Sequence, residues 1–166
     1  GEREPTHLND LIKEYANLAF HGMRAGKNPI NVDIDLDLDE SLKPIPLIAE
    51  DFSRVILNLC NNAFDAMRDK LSTGQEDSNW LPKLTVRTRQ NHNYVTVEVE
   101  DNGPGIPKEI KDRILQPFFT TKKGTEGTGL GLSITNDIIK SHGGEIKIES
   151  DQGAFTRFQL TIPNQP

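Results

Sequence analysis

Asn58, Asn62 and Asp65 stand at i, i+4 and i+7 in the middle of the chain. At about 100° per residue they fall on one flank of a helix whose apolar stripe is Phe52, Val55, Ile56, Leu59, Ala63, Ala66 and Met67. Asn61 points nearly opposite that stripe and is expected to face water. An asparagine amide offers a neutral carbonyl oxygen to a hard cation such as Mg²⁺, which keeps most of its waters and takes other ligands from phosphates. The spacing suits a nucleotide site, although a row of surface amides would have the same pattern.

A second group lies at a strand end. Asp101-Asn102-Gly103-Pro104-Gly105-Ile106 follows directly on the alternating Val95, Val97 and Val99. The Asp101 carboxylate, an acceptor only when ionised, suits an exocyclic amine such as that of adenine; capping its own turn is the alternative. Further on, Gly127-Thr128-Gly129-Leu130-Gly131-Leu132 immediately precedes a helix. Missing side chains there let a phosphate approach backbone N–H groups and the positive helix end. The G-x-G-x-G spacing is not the dinucleotide fingerprint, and Gly22 to Asn28 has the wrong spacing and the wrong last residue for a P-loop. Between the glycine segments, Pro117-Phe118-Phe119-Thr120-Thr121-Lys122-Lys123 offers two aromatics to anchor a lid and two lysines to meet a triphosphate.

These groups need a scaffold, and the periodicities predict one. Residues 6–24 form an amphipathic helix with Leu8, Leu11, Ile12, Tyr15, Leu18 and Ala19 on one face. Val32, Ile34, Leu36 and Leu38 alternate with Asp33, Asp35, Asp37 and Asp39 as in a strand with one wet face. Lys43-Pro44-Ile45-Pro46 breaks the pattern, and residues 51–71 resume a helix after the acidic Glu50 and Asp51. Residues 72–79 read as a loop, 83–89 and 94–100 as a hairpin, and 132–141 as a helix stopped by Gly143-Gly144. Residues 145–149 and 156–162 form a second hairpin. From Gly103 to Gly131 glycine and proline recur too often for regular structure, which predicts a mobile lid over about 107–128. The order α, β, α, β, β, lid, α, β, β predicts an α/β two-layer sandwich. One mixed, mostly antiparallel sheet is covered on one face by three helices.

With 166 residues, 34% of them hydrophobic and 27% charged, the chain reads as one domain, residues 1–166. A net charge of -6 excludes a nucleic-acid surface built on a basic face. No apolar run approaches the roughly 20 residues of a bilayer span, so no direct membrane contact and a cytoplasmic location are expected. The single cysteine, Cys60, sits among apolar neighbours and reads as inert packing.

In order, Asn58 to Ala63, Asp101 to Ile106, Pro117 to Lys122 and Gly127 to Leu132 resemble the N, G1, F and G2 boxes of histidine kinase catalytic domains. Ser141-His142-Gly143-Gly144 and a last hairpin ending Leu160-Thr161-Ile162-Pro163 extend the resemblance over nearly the whole chain. The resemblance implies the Bergerat α/β sandwich of gyrase-type, mismatch-repair and chaperone ATPases, with Mg-ATP as ligand. By it Asn62 coordinates Mg²⁺ and Asn58 assists, as the catalytic pair. Asp101 binds adenine beside Gly103, Gly105 and Ile106, Thr156 supports adenine recognition through water, and the Gly129 to Leu132 backbone holds the phosphates. Many such kinases carry lysine where this chain has Asp65, so that phosphate contact is absent or supplied by Arg68 or Lys122. Phe155 stands where glycine is common.

The resemblance also implies partners: a histidine-bearing dimerisation domain of the same kinase and a downstream response regulator, the catalytic domain alone being monomeric. The full protein is either cytoplasmic or the cytoplasmic part of a membrane-anchored sensor. Two other functions compete. An ATP-hydrolysing switch of the same fold carries a glutamate one turn before the magnesium asparagine, where this chain has Asn58, which cannot act as a base. An inactive nucleotide-binding module is the other, and the intact boxes argue against it. None of His7, His21, His92 and His142 has the surroundings of an acceptor histidine, His21 reading as a helix-surface residue, so the chain by itself is expected to bind ATP and turn over poorly. Transfer to an imidazole, already nucleophilic when neutral, asks less of the nucleotide domain than hydrolysis does.

Overall fold

The computed structural model describes residues 1–74, 79–116 and 131–165. Its first strand, β1 (Glu4–Thr6), leads into α1 (Leu8–Arg24), followed by β2 (Asp33–Asp37), β3 (Ile45–Leu47) and the long helix α2 (Ala49–Thr73). The hairpin β4 (Lys83–Gln90) and β5 (Tyr94–Asp101) precedes a short α3 (Lys108–Lys111). After it come α4 (Gly131–Ser141) and the hairpin β6 (Glu145–Asp151) and β7 (Phe155–Pro163).

Five strands form one sheet in the order β2-β4-β5-β7-β6. β2 runs parallel to β4, and every other pairing is antiparallel. α2 packs against α1, α4, β4 and β5, so the three long helices share one face, as the sequence predicts. Strand alternation sorts the sheet residues between its faces. Val95, Val97, Val99 and Asp101 of β5, with Thr156, Phe158, Leu160 and Ile162 of β7, are buried. The intervening residues carry a charge ladder: Arg87 lies 3.4 Å from Glu98 and 3.2 Å from Glu100, and Arg157 meets Glu100 at 2.7 Å. Burial alone would raise the Glu100 carboxyl, but hydrogen bonds from Arg157 and Arg87 overcome it and hold the group below the usual carboxylate range.

α2 forms because its apolar residues recur at helical spacing: Phe52, Val55, Ile56, Leu59, Cys60, Ala63, Phe64 and Met67 are all buried. It begins two residues earlier than the periodicity predicts and ends at Gly74, whose left-handed backbone (φ 65°) suits glycine. His142 ties its N-terminus down: Nε2 accepts the Ile48 N–H at 3.2 Å, Nδ1 donates to the Ile138 carbonyl at 2.8 Å, and the ring sits edge-on to Phe52. Cys60 is fully buried and its thiol is pushed up to about 12 by burial, consistent with inert packing.

Three expectations need correction. The proline-marked break is a strand, because β3 pairs antiparallel with β1 and shortens the first helix to start at Leu8. Pro5 faces Pro46 across that pair. Both missing N–H groups thus fall on one rung, where an antiparallel ladder can place a pair exchanging no hydrogen bonds. Leu18 lies at the edge of the α1 stripe and is 54% exposed, while Ala16 and Met23 take core positions. The segment beginning at Gly103 is not wholly irregular either: Pro107 opens α3, and Ile114 is buried. The lid expectation for 117–128 lies outside the described residues.

Candidate functional site

The site is built along one ridge of α2. Asn58, Asn62, Ala66 and Lys70 follow at intervals of four, and such rows wind along a helix as a continuous ridge. At one end the Asn58 side-chain amide donates to the Gly131 carbonyl at the start of α4, at 3.3 Å. Four residues on, Asn62 is half-buried, whereas Asn61 is exposed, as their helical angles predict. Further along, Ala66 carries the turn after β5: a Cβ on Gly103 would stand 3.3 Å from the Ala66 backbone and 2.8 Å from Oδ1 of Asp101. The ridge therefore joins the expected magnesium asparagine to the expected adenine aspartate.

Asp101 takes the last core-facing position of β5, with only 3% of its surface exposed. Burial pushes its carboxyl up to about 7, Glu100 adds to the rise, and the Gly103 N–H and Lys70 oppose it. Oδ1 accepts the Gly103 N–H at 2.8 Å, so the turn-capping role is real and does not exclude a ligand role. Across the ladder Asp101 pairs with Thr156, whose hydroxyl lies 3.4 Å from that of Ser150. Ser150 in turn accepts the Ile106 N–H at 2.7 Å. Gly105 (φ 73°) needs glycine twice over, for its left-handed backbone and because a Cβ would strike the Asp151 carbonyl. Asp101, Gly103, Gly105, Ile106 and Thr156 are thus one connected structure.

Asp65 and Arg68 engage each other. Arg68 Nη1 lies 2.8 Å from the Asp65 carboxylate and its Nε donates to the Asn28 carbonyl at 2.8 Å. Gly131 and Leu132 open α4, with Thr135 donating back to the Gly131 carbonyl at 2.9 Å. Lys122, Gly127, Thr128, Gly129 and Leu130 lie outside the described residues. Two residues without a motif belong to the site and escaped the sequence reading. Lys70 is 8% exposed and donates to the carbonyls of Asn102 and Gly153, and the Trp80 indole N–H donates to Asn102 at 2.9 Å. The four-residue interval from Ala66 is the signal that would have found Lys70.

Among the described residues there is no cluster of three or more His, Cys, Asp or Glu able to hold a metal, and no helix long and apolar enough to cross a membrane.

A family described as histidine kinase-, DNA gyrase B- and HSP90-like ATPase matches residues 48–166. The sensor kinase CckA of Brucella abortus is 39% identical over 140 residues, which are 81% of this chain and 15% of that protein. The sensory histidine kinase/phosphatase NtrB of Salmonella typhimurium is 34% identical over 98% of this chain and 46% of its own length. The chain therefore spans less than half of these relatives. A solved catalytic domain of the histidine kinase ThkA, in a nucleotide-free form, superposes with a TM-score of 0.80 at 33% identity, covering 100% of this chain and 98% of that one. With its motifs, sheet order and helix layer, the chain belongs to the family of histidine kinase-, DNA gyrase B- and HSP90-like ATPases, as a histidine kinase catalytic domain.

Proposed function

We propose that this chain binds Mg-ATP and presents its terminal phosphate to a histidine on a separate dimerisation domain of the same kinase, from which a response regulator is then phosphorylated. The observation that carries the reading is Asp101, a buried carboxylate at the end of β5, beside Thr156 and backed by two glycines that admit no side chain. A buried acceptor of that kind discriminates strongly for a ligand that brings a donor, as the adenine amine does, because it is costly to leave unpaired.

The residues present fit magnesium. Asn62 supplies one neutral oxygen on a half-buried ridge, and a cation that keeps waters and draws on phosphates needs no cage of carboxylates. Bound there, magnesium would neutralise charge on the phosphates. Asn58 would hold the near end of the site, its amide already engaged with Gly131 where α4 begins. By the family's motifs, the Gly127 to Leu132 backbone would cradle the phosphates and Lys122 would supply a cation. Asp65, on the same helix flank and paired with Arg68, would act on the phosphates only through that pair.

Asn58 also favours transfer over hydrolysis. Its side chain is a donor to a carbonyl and has no proton-accepting role toward water. The four histidines are not suited as acceptors: His142 is buried between α2 and α4, and His7, His21 and His92 lie on the surface without an acidic neighbour on their C-terminal side. The acceptor is then supplied in another domain.

The test mixes the chain, Mg-ATP and a separately produced acceptor-helix domain from the same gene. Acid-labile, base-stable phosphate on that domain is the expected product. Release of inorganic phosphate with no labelled acceptor would contradict the reading and favour the hydrolytic switch.

A further inference from the structure

Lys70 has no part in the motifs and is nearly buried at the far end of the α2 ridge. Its ammonium donates to the Gly153 carbonyl at 3.1 Å and to the Asn102 carbonyl at 3.4 Å, and it sits 4.8 Å above the Trp80 ring. The first carbonyl belongs to the turn between β6 and β7, the second to the turn that follows Asp101. These turns are also joined directly, since Gly153 N–H donates to the Pro104 carbonyl at 2.6 Å. Asn102 is fixed from its other side as well: its side chain bonds the Leu81 carbonyl and the Lys83 N–H, at 2.7 and 2.8 Å. A lysine with its charge removed from bulk water, and its protons directed at carbonyls, is an expensive way to fill space.

We propose that Lys70 is a positioning residue for base recognition, its ammonium tying to α2 the two turns that frame Asp101 and supplying the positive charge that favours Asp101 as an anion. This rests on the reading of Asp101 as the adenine acceptor and goes beyond it in naming what keeps that acceptor competent. The charged and polar groups around Asp101 divide simply. Lys70 acts on it from α2, Thr156 pairs with it across the ladder from β7, and the Gly103 N–H bonds it from its own turn, while β4 presents the apolar Leu84 opposite. Glu100 precedes it on the other face of the sheet, engaged by Arg87 and Arg157, and Asp151 on β6 is exposed. Against the burial of Asp101 and the field of Glu100, the Gly103 N–H is the larger offset, and Lys70 adds to it as a cation.

Removing that charge makes Asp101 harder to ionise, so the loss of affinity depends on pH. A merely structural loss would be the same at every pH. Mg-ATP affinity is measured by calorimetry from about pH 6 to about pH 9 for the wild-type chain, Lys70→Met, Lys70→Arg and Asp101→Asn. The ratio of variant to wild-type affinity cancels the titration of ATP itself. Lys70→Met is expected to bind at least about twofold more weakly at pH 7, because losing the cation lowers the ionised fraction of Asp101. The deficit should fade above about pH 8, and Lys70→Arg should stay within about twofold of wild type throughout. No deficit, or one independent of pH, overturns the proposal. If Lys70→Met does not fold, the profile is read on Lys70→Gln with the same criteria. Failure of both neutral variants to fold while Lys70→Arg folds assigns Lys70 to the fold alone and overturns it too. Asp101→Asn separates the two levels: wild-type affinity in that variant would sink the adenine reading, whatever Lys70 does.

Discussion

Oδ1 of Asp101 accepts the N–H of Gly103 at 2.8 Å, the same distance at which a Cβ on Gly103 would press against that oxygen. The residue proposed to recognise adenine and the glycine beside it are thus fitted to each other, with Ala66 of α2 behind them.

Alanine at Gly103 should disturb both. The added methyl meets the Ala66 backbone, which cannot yield cheaply, and the Asp101 oxygen, which can move only by leaving its buried, hydrogen-bonded position. Overpacking of this kind costs about 1–3 kcal/mol. Gly103→Ala is expected to lower thermal stability by that amount and to weaken ATP binding about tenfold or more, as Asp101 is displaced. A variant that unfolds and binds like wild type would show that the turn has room the structure does not give it.

Asp101 should also leave a signature in the pH dependence of stability. Its folded carboxyl is raised to about 7 by burial from an ordinary value of 3.8, so between those values the folded chain holds a proton that the unfolded chain has released. Stability from this group is fully present below about pH 4 and is lost as pH rises through about 7. Glu100 and Asp39, whose carboxyls are lowered, act in the opposite sense, so the comparison must be with a variant. The wild-type advantage over Asp101→Asn in urea unfolding, without nucleotide, should decline from pH 4 to pH 7 and then level. A difference independent of pH would mean that Asp101 is not a buried, proton-holding group.

Asn61 and Asn62 are adjacent and chemically identical, yet one is exposed and the other half-buried on the site ridge. Asn62→Ala should weaken magnesium-dependent ATP binding and abolish most phosphotransfer to a supplied acceptor domain. Asn61→Ala should shift stability by no more than about 0.5 kcal/mol and spare transfer. Phosphotransfer across a magnesium titration reads both. Failure of Asn61→Ala instead, or full activity in both, would refute the magnesium role of this helix face.

Long periodic segments were the most legible part of the chain. The stripe of α2 carried its own evidence in apolar residues repeated from Phe52 to Met67, about four turns, and the valine alternation of β5 delivered Asp101 to the core side of the sheet. What escaped was short or non-local. β1 and β3 have three residues each and hold prolines, so neither offers a period to read, and their pairing spans about forty residues. α3 has four residues, too few to show an amphipathic face. Trp80 gave no local signal and Lys70 only its four-residue interval from Ala66, because their importance comes from the Asn102 and Gly153 carbonyls, which only the folded chain brings to them.

The central claim is that adenine nucleotide binds at Asp101. Calorimetric titration of Mg-ATP into wild-type and Asp101→Asn chains at about pH 8, where the carboxylate is ionised, addresses it most directly. Loss of a hydrogen bond to a charged acceptor predicts binding weaker by about 1.5–3 kcal/mol in the variant, with its fold intact by circular dichroism. Equal affinity in a folded Asp101→Asn chain would contradict the account.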